Sequence, residues 1–475
     1  MANGTLPAYL TSTKPNPLTN RAPWYKNVAQ TFAGIFLWIG FYDQLAGTSS
    51  GPGALGLGGL VPCLLGLVAA GLLCHFLFYL VPGLLGMKTG LPLYIVGTST
   101  FGTKGGYFLP GIFMGLLQIG WYSVATYYAT KLVLGGLNLS DQYDYTLFGL
   151  PGPNGQQAFS LVFVIMAVIW GYLFAFLGGL GIGMVARLST YFPIIPIILL
   201  LVAGIAGAGH AGSYTPPTTG QALPAFLLVI QMVIGFTATA GACGADFCTA
   251  SRNGKDVSMG GLVGIALAVL FAGGLALLTV AGAHGKDAAF KSYLFSDSLK
   301  VVLGNKNQIW MILFAIGSMA PASFCSFIIG NSLSTMLAKP KARVPITMAG
   351  ATLGIVLAAL GVASNLGGFF GLIGASFGPV IGAMCADYLL SGRRWAGPRE
   401  GVSIPGYAAW FVGFVVGISN NSFIVPKDWF IPGWVPTGLL SLVAGFIVYA
   451  ILAKAGLEAR TVPLPTAEAE TVAAK

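Results

Sequence analysis

Long apolar stretches separated by short polar segments run through almost the whole chain. A helix that crosses about 30 Å of hydrocarbon needs about 20 mainly apolar residues. By this measure the pattern predicts twelve transmembrane helices, at about 27–48, 56–82, 107–134, 157–178, 188–208, 222–247, 257–283, 307–337, 345–361, 366–389, 404–420 and 433–455. Polar tails flank them at 1–26 and 456–475, and the second tail is expected to be disordered. The predicted fold class is therefore an all-α polytopic membrane protein.

Composition agrees with this pattern. Only 8% of the 475 residues are charged and 56% are hydrophobic, which excludes an ordinary soluble domain. The net charge of +10 does not indicate nucleic-acid binding, because the 23 Lys and Arg residues lie mostly in short loops between apolar stretches. Seventeen of these 23 fall on the side of the N-terminus when the predicted helices are counted. Both termini are therefore predicted to be cytoplasmic, with the chain in the cell membrane.

Small residues interrupt the first and sixth predicted helices at corresponding places, around Gly40–Gln44 and Gly235–Thr239. Paired interruptions are typical of broken helices in an inverted repeat. The chain is therefore divided into a first repeat of helices 1–5 at 27–208, a second of helices 6–10 at 222–389, and helices 11–12 at 404–455. Close packing of glycine is the other interpretation of each interruption.

Gln118 and Trp121 are the first candidate site residues. They lie three positions apart, on one face of the third helix. A buried amide needs a hydrogen-bond partner, and an indole offers a flat face and one donor, so the pair can bind a small planar heterocycle. The alternative is plain helix packing, with Gln118 bonded to a neighbouring helix.

Asp43 places a carboxylate at mid-depth in the first helix, between Tyr42 and Gln44, which are candidate substrate contacts. An ionisable residue at this depth is a functional candidate by default, here as a proton carrier, a cation ligand or a substrate contact. His75 is the alternative proton carrier. Asp246 and Asp387, near helix ends, are expected to pair with Arg252 and Arg393 and not to be site residues.

Three motifs carry a resemblance to a known family. They are T-x-G-x-x-F-L-P-x-x-x-x-G-x-x-Q-x-G-W at 103–121, Ala245-Asp246-Phe247 followed by Arg252–Lys255, and Ala386-Asp387-Tyr388-Leu389 followed by Arg393-Arg394. In this order and spacing they resemble the cytosine/purine permease family of nucleobase–cation symporters. The resemblance implies a leucine-transporter-type 5+5 inverted repeat with two extra helices, and a secondary active transporter rather than an enzyme.

The resemblance also implies roles for further residues. The Leu37 and Gly40 carbonyls would face sodium, Phe41 would approach the substrate, and Phe236 would face Trp121. In helix eight the family's pair of hydroxyl residues becomes Ala322-Ser323, which leaves one hydroxyl, that of Ser323, for the ion. The family's substrate-contacting Asn falls on Met319, so Ser318 beside it becomes the candidate contact.

These observations together predict import of a nucleobase or related nitrogen heterocycle with Na⁺ or H⁺, by alternating access around broken helices 1 and 6. No cofactor beyond the coupling ion is expected, and the expected partners are the small-molecule substrate and the lipid bilayer, with the chain acting as a monomer. An uncoupled facilitator or channel is the alternative, and a membrane enzyme or receptor on the same scaffold is a third.

Overall fold

The computed structural model describes residues 6–49, 51–139, 160–304, 307–364, 366–421, 424–425 and 431–464. Within these ranges the regular structure is helical, apart from two isolated β-bridges. The long helices are α1 (Val28–Phe36 and Ile39–Tyr42), α2 (Leu60–Thr89), α3 (Tyr107–Gly136), α4 (Leu161–Gly179), α5 (Ile182–Ala211), α6 (Ala222–Ala242), α7 (Gly254–Lys286), α8 (Asn307–Met336), α9 (Pro340–Ala359), α10 (Leu366–Leu390), α11 (Ile404–Ile418) and α12 (Thr437–Lys454).

In the described ranges, ten helices are long and apolar enough to cross a membrane. They are α2 to α10 and α12, whereas α1 is divided into two short pieces and α11 has 15 residues. The all-α polytopic class is confirmed, but the count of twelve spanning helices is not. The boundaries proposed above for the tails and repeats stay predictions.

The helices pack in two groups. One group contains α3, α4, α8 and α9, in which α3 contacts α8 and α9 while α4 contacts the same two helices. In the other group α6 contacts α2 and α10, and α10 contacts α11 and α12. Helix α5 packs along α7, where Gly207 and Gly282 bring the two backbones so close that neither position has room for a side chain.

Helix α1 breaks at Leu37–Trp38, just before the predicted segment Gly40–Gln44. Trp38 is extended, with φ −84° and ψ 134°, and the helix resumes at Ile39. The Trp38 indole folds back over Gly40, where an added Cβ would lie 2.5 Å from the ring. Gly40 therefore provides the space for the Trp38 ring rather than the break itself.

Helix α6 runs without interruption through Gly235–Thr239, so the break predicted there is wrong. The physical reason is close packing: an added Cβ on Gly235 would lie 2.6 Å from the Phe370 carbonyl oxygen of α10. The Thr237 hydroxyl donates to the Val233 carbonyl one turn earlier (2.7 Å) and leaves the helix intact. The helix is interrupted instead at Cys243, after which a short helix spans Gly244–Cys248.

A buried ion-pair network fixes the end of α10 to the segment that follows α12. Arg399 bonds Asp387 (2.7 Å) and Glu458 (2.8 Å), so the expected pairing of Asp387 with Arg393 is wrong. The backbone continues the contact, since the Val462 amide donates to the Pro398 carbonyl (2.8 Å). Residues 456–464 are thus ordered against the α10–α11 loop, contrary to the expected disorder of this part of the tail.

Candidate functional site

Three of the predicted site residues come together in a small cavity among α1, α3, α6 and α8. We call it the central pocket, and it is lined by Ile35, Trp38, Gln118, Trp121, Phe236, Thr239, Ala240, Pro321, Phe324 and Cys325. Its volume is about 30 Å³, which is room for one or two water molecules. The lining is mostly aromatic and aliphatic, so the few polar atoms within it decide what it can bind.

Gln118 brings an amide into this apolar lining while only 2% exposed. Its Oε1 atom is buried without a hydrogen-bond partner. Its Nε2 atom lies 3.6 Å from the Met114 sulfur, which is a weak acceptor. An unpaired buried amide oxygen costs about 1–3 kcal/mol, so Gln118 has an unused acceptor that a ligand donor would satisfy.

Trp121 presents its ring to the pocket, but its donor is already used. The indole Nε1 donates to the Thr239 hydroxyl on α6 (2.8 Å). The ring contacts Phe236 edge to face, with centroids 4.9 Å apart and planes at 77°. Because the two rings touch, a planar ligand between them requires that they separate.

Trp38 is the site residue that sequence reasoning missed. Its indole contacts the rings of Trp121 (6.3 Å between centroids) and Phe236 (5.9 Å). Its Nε1 atom is buried without a hydrogen-bond partner. The available signal was a tryptophan two positions before Gly40 in a helix expected to break. Two residues that line the pocket therefore each carry one buried polar atom without a hydrogen-bond partner, a donor on Trp38 and an acceptor on Gln118.

The other predicted substrate contacts lie outside the residues that line the central pocket. Phe41 packs behind Phe236, with ring centroids 5.0 Å apart. Tyr42 packs edge to face on Phe295. The Gln44 amide donates to the Tyr128 hydroxyl (2.8 Å), and the Ser318 hydroxyl donates to the Phe314 carbonyl (3.1 Å), so both are engaged elsewhere.

The three predicted cation ligands have oxygens available for a ligand. At the α1 break the Phe41 amide donates to the Trp38 carbonyl (2.9 Å), so the Leu37 carbonyl lacks its usual helical partner. The Gly40 carbonyl likewise accepts no hydrogen bond from the Gln44 amide, its usual donor in a continuous helix. The Ser323 hydroxyl on α8 is fully buried and has no partner.

Asp43 makes a specific contact with the short helix Phe295–Leu303. Its carboxylate accepts a hydrogen bond from the Ser296 amide (2.8 Å), and its backbone carbonyl accepts one from the Phe295 amide (3.0 Å). The Thr48 carbonyl extends the contact by accepting from the Tyr293 amide (3.0 Å). Asp43 thus satisfies first-turn amides of this helix and joins it to the end of α1.

The sequence is similar to a family of known transport proteins. The model of the permease family for cytosine/purines, uracil, thiamine and allantoin matches residues 26–419. The chain is 25% identical to the cytosine permease of Escherichia coli strain K12 over 349 residues, which are 70% of each protein. It is also 25% identical to the putative allantoin permease of the same strain over 426 residues, covering 82% of this chain and 83% of that protein.

Solved structures give the fold. Mhp1, a nucleobase-cation-symport-1 family transporter solved with bromovinylhydantoin bound, superposes with a TM-score of 0.65 at 16% identity, over 96% of this chain and 98% of that one. A Na⁺-coupled sialic acid symporter superposes with a TM-score of 0.57 at 15% identity, over 97% and 95%. The fold is therefore the expected leucine-transporter type. The family match extends over most of the sequence, and the chain thus belongs to the permease family for cytosine/purines, uracil, thiamine and allantoin, as a multi-pass membrane transporter and not an enzyme.

Proposed function

We propose that this transporter imports a nucleobase or a related nitrogen heterocycle together with a cation. One observation carries the proposal: two residues that line one aromatic pocket each hold a buried polar atom without a partner, the acceptor Gln118 Oε1 and the donor Trp38 Nε1. A nitrogen heterocycle carries N–H and C=O groups in the plane of a flat ring. It can satisfy both atoms and place its face on Trp121 or Phe236.

The relatives support the same substrate class. Their names specify cytosine and allantoin, and the ligand of Mhp1 is a hydantoin. All three compounds are nitrogen heterocycles with N–H and C=O groups. Since the central pocket is smaller than any of them, substrate binding must enlarge it by separating the aromatic rings that line it, those of Trp38, Trp121, Phe236 and Phe324.

Sodium is the coupling ion that we favour. The Leu37 and Gly40 carbonyls and the Ser323 hydroxyl would hold it, since Na⁺ prefers oxygen ligands and these oxygens lack the partners that a regular helix gives. Proton coupling through Asp43 is the competing proposal. It is less favoured, because the Asp43 carboxylate already accepts the Ser296 amide and joins α1 to the short helix Phe295–Leu303.

Uptake into proteoliposomes tests both parts. Radiolabelled cytosine, uracil, adenine, hypoxanthine, hydantoin and allantoin are offered under an inward Na⁺ gradient at fixed pH, then under an acid-outside gradient without Na⁺. We expect at least one compound to accumulate with Na⁺ alone. Accumulation without Na⁺ would contradict sodium coupling, equilibration without any gradient would indicate a facilitator, and no uptake of any compound would overturn the proposal.

Two variants test whether Gln118 contributes to substrate binding and whether Ser323 contributes to Na⁺ binding. Gln118→Ala should weaken substrate binding by about 1–3 kcal/mol, whereas Gln231→Ala, which removes an amide bonded to Thr437 outside the pocket, should not. Ser323→Ala should raise the Na⁺ concentration needed for half-maximal uptake. Ser332→Ala on the same helix, whose hydroxyl donates to the Gly111 carbonyl (2.8 Å), is the control and should leave it unchanged.

A further inference from the structure

A second and much larger cavity lies on the N-terminal side of the molecule. We call it the vestibule. Its volume is about 540 Å³, within the range of about 300–1,000 Å³ that is usual for small-molecule sites. Its lining includes residues 12–17, Asn27, Tyr94, Asp246, Phe247 and Asn331. The distribution of Lys and Arg predicts that this side is cytoplasmic.

Asp246 lines this cavity and carries a carboxylate that has no charged partner among the described residues. The expected pairing with Arg252 is wrong, because Arg252 bonds Asp256 instead (2.8 Å). Among the described residues no Lys, Arg or His forms an ion pair with Asp246. Its Oδ2 atom accepts one long hydrogen bond from the Leu93 amide (3.4 Å), and its Oδ1 atom is buried with no partner. Such an atom needs a donor, and the structure supplies none.

Tyr94 adds the complementary group. The Asn331 side-chain amide donates to the Tyr94 hydroxyl oxygen (2.7 Å), so this contact does not use the hydroxyl proton. The vestibule lining therefore contains a carboxylate acceptor and a phenolic donor. A ring with adjacent N–H and C=O groups matches this pair, whereas a bare cation would use only the oxygens.

One aromatic contact separates the two cavities. Phe324 lines the central pocket, Phe247 lines the vestibule, and their ring centroids are 5.0 Å apart. Phe32 of α1 packs on the same Phe247 ring (5.2 Å). The contact between Phe247 and Phe324 therefore lies between the linings of the two cavities, and Asp246 is the residue before Phe247 in the chain.

We propose that the vestibule is a second solute site, in which the Asp246 carboxylate accepts an N–H of the transported heterocycle and Tyr94 donates to its carbonyl. The site rests on the proposed function, since it is meant for the same solute. The vestibule would bind the solute more weakly than the central pocket, because the larger cavity encloses the solute less. The solute would occupy this site last before its release.

Equilibrium binding to the purified full-length protein tests the proposal, with tritiated cytosine, uracil, adenine, hypoxanthine, hydantoin and allantoin as probes. We expect two equivalents of one probe to bind per chain, one tightly and one weakly. Gln118→Ala should weaken the tight phase and spare the weak one. Asp246→Asn should weaken the weak phase about tenfold or more and spare the tight one.

Controls separate the two proposals. Glu400→Gln removes the same charge from an exposed residue outside the vestibule lining and should change neither phase. If Asp246→Asn does not fold, Tyr94→Phe decides, with an expected loss of about threefold or more in the weak phase. One equivalent per chain, or a weak phase unchanged in these variants, would overturn the vestibule site alone. The proposed function would be overturned if no probe binds, or if Gln118→Ala leaves the affinity of the tight phase unchanged.

Discussion

Helices α1 and α6 meet at the central pocket and both carry small residues there, yet the backbones behave differently. In α1 the helix opens at Leu37–Trp38, where the Leu37 carbonyl loses its helical donor, and the Trp38 indole Nε1 has no partner. In α6 the helix is continuous, with the Thr237 hydroxyl bonded to Val233 and the Thr239 hydroxyl to Trp121. Small residues therefore permit either outcome, and what packs against them decides which occurs. Helix α1 therefore keeps polar atoms without partners at this level, whereas the hydroxyls of α6 have theirs.

The largest loss of stability should come from placing a side chain in the close contact between α6 and α10. Gly235→Leu places a side chain against the Phe370 backbone and should destabilise the protein by about 3 kcal/mol, measured as a lowered thermal midpoint in detergent. Gly209→Leu is the matched control, since Gly209 lies in α5 with nothing within 4 Å of an added Cβ. Equal stability of the two variants would show that α6 is not tightly packed at this position.

A substitution at the break in α1 is expected to lower substrate affinity and not stability. Trp38→Phe removes a buried N–H that has no hydrogen-bond partner, so stability should be unchanged or slightly higher. Substrate affinity should fall by about 1–2 kcal/mol if the ligand accepts this N–H. Trp410→Phe, which removes an N–H bonded to the Ser376 carbonyl (3.2 Å), should instead lower stability and spare affinity. If Trp38→Phe and Trp410→Phe lower stability equally, the Trp38 N–H is not without a partner and the prediction is wrong.

The smallest effect concerns the far end of α1. Asp43→Ala removes the acceptor of the Ser296 amide and should cost about 1 kcal/mol of stability, while Asp43→Asn keeps an acceptor oxygen and should cost less. Because we assign Asp43 to this contact, Na⁺-driven accumulation should persist in Asp43→Asn. Loss of accumulation with retained substrate exchange in that variant would restore Asp43 as the proton carrier.

Hydropathy was sufficient for the fold class, because every long helix in lipid must be apolar along its length. It also revealed Gln118, since an amide stands out in an apolar helix and the Trp121 position follows from helical periodicity. Trp38 was missed because an aromatic residue in an apolar stretch looks like packing. Its exposure to the pocket depends on a break whose position the small residues do not specify.

Charged partners were equally hard to predict. Asp246 and Asp387 each have an arginine six residues further on, and both pairings proposed from this proximity were wrong. Asp387 is paired by Arg399, twelve positions away, because the α10–α11 loop folds back over the helix end. The neighbour in sequence is the default partner only where the backbone between the two residues is helical.

The Arg399 network has a practical consequence for anyone who handles this protein. Fusion tags are commonly attached where a chain leaves its last helix, and here that place would be just after Lys454. A truncation there would delete Glu458, whose carboxylate bonds the buried Arg399 guanidinium, and the strand-like pairing of residues 460–462 with 398–400. Expression vectors should therefore keep the chain at least to Leu464 before any linker begins.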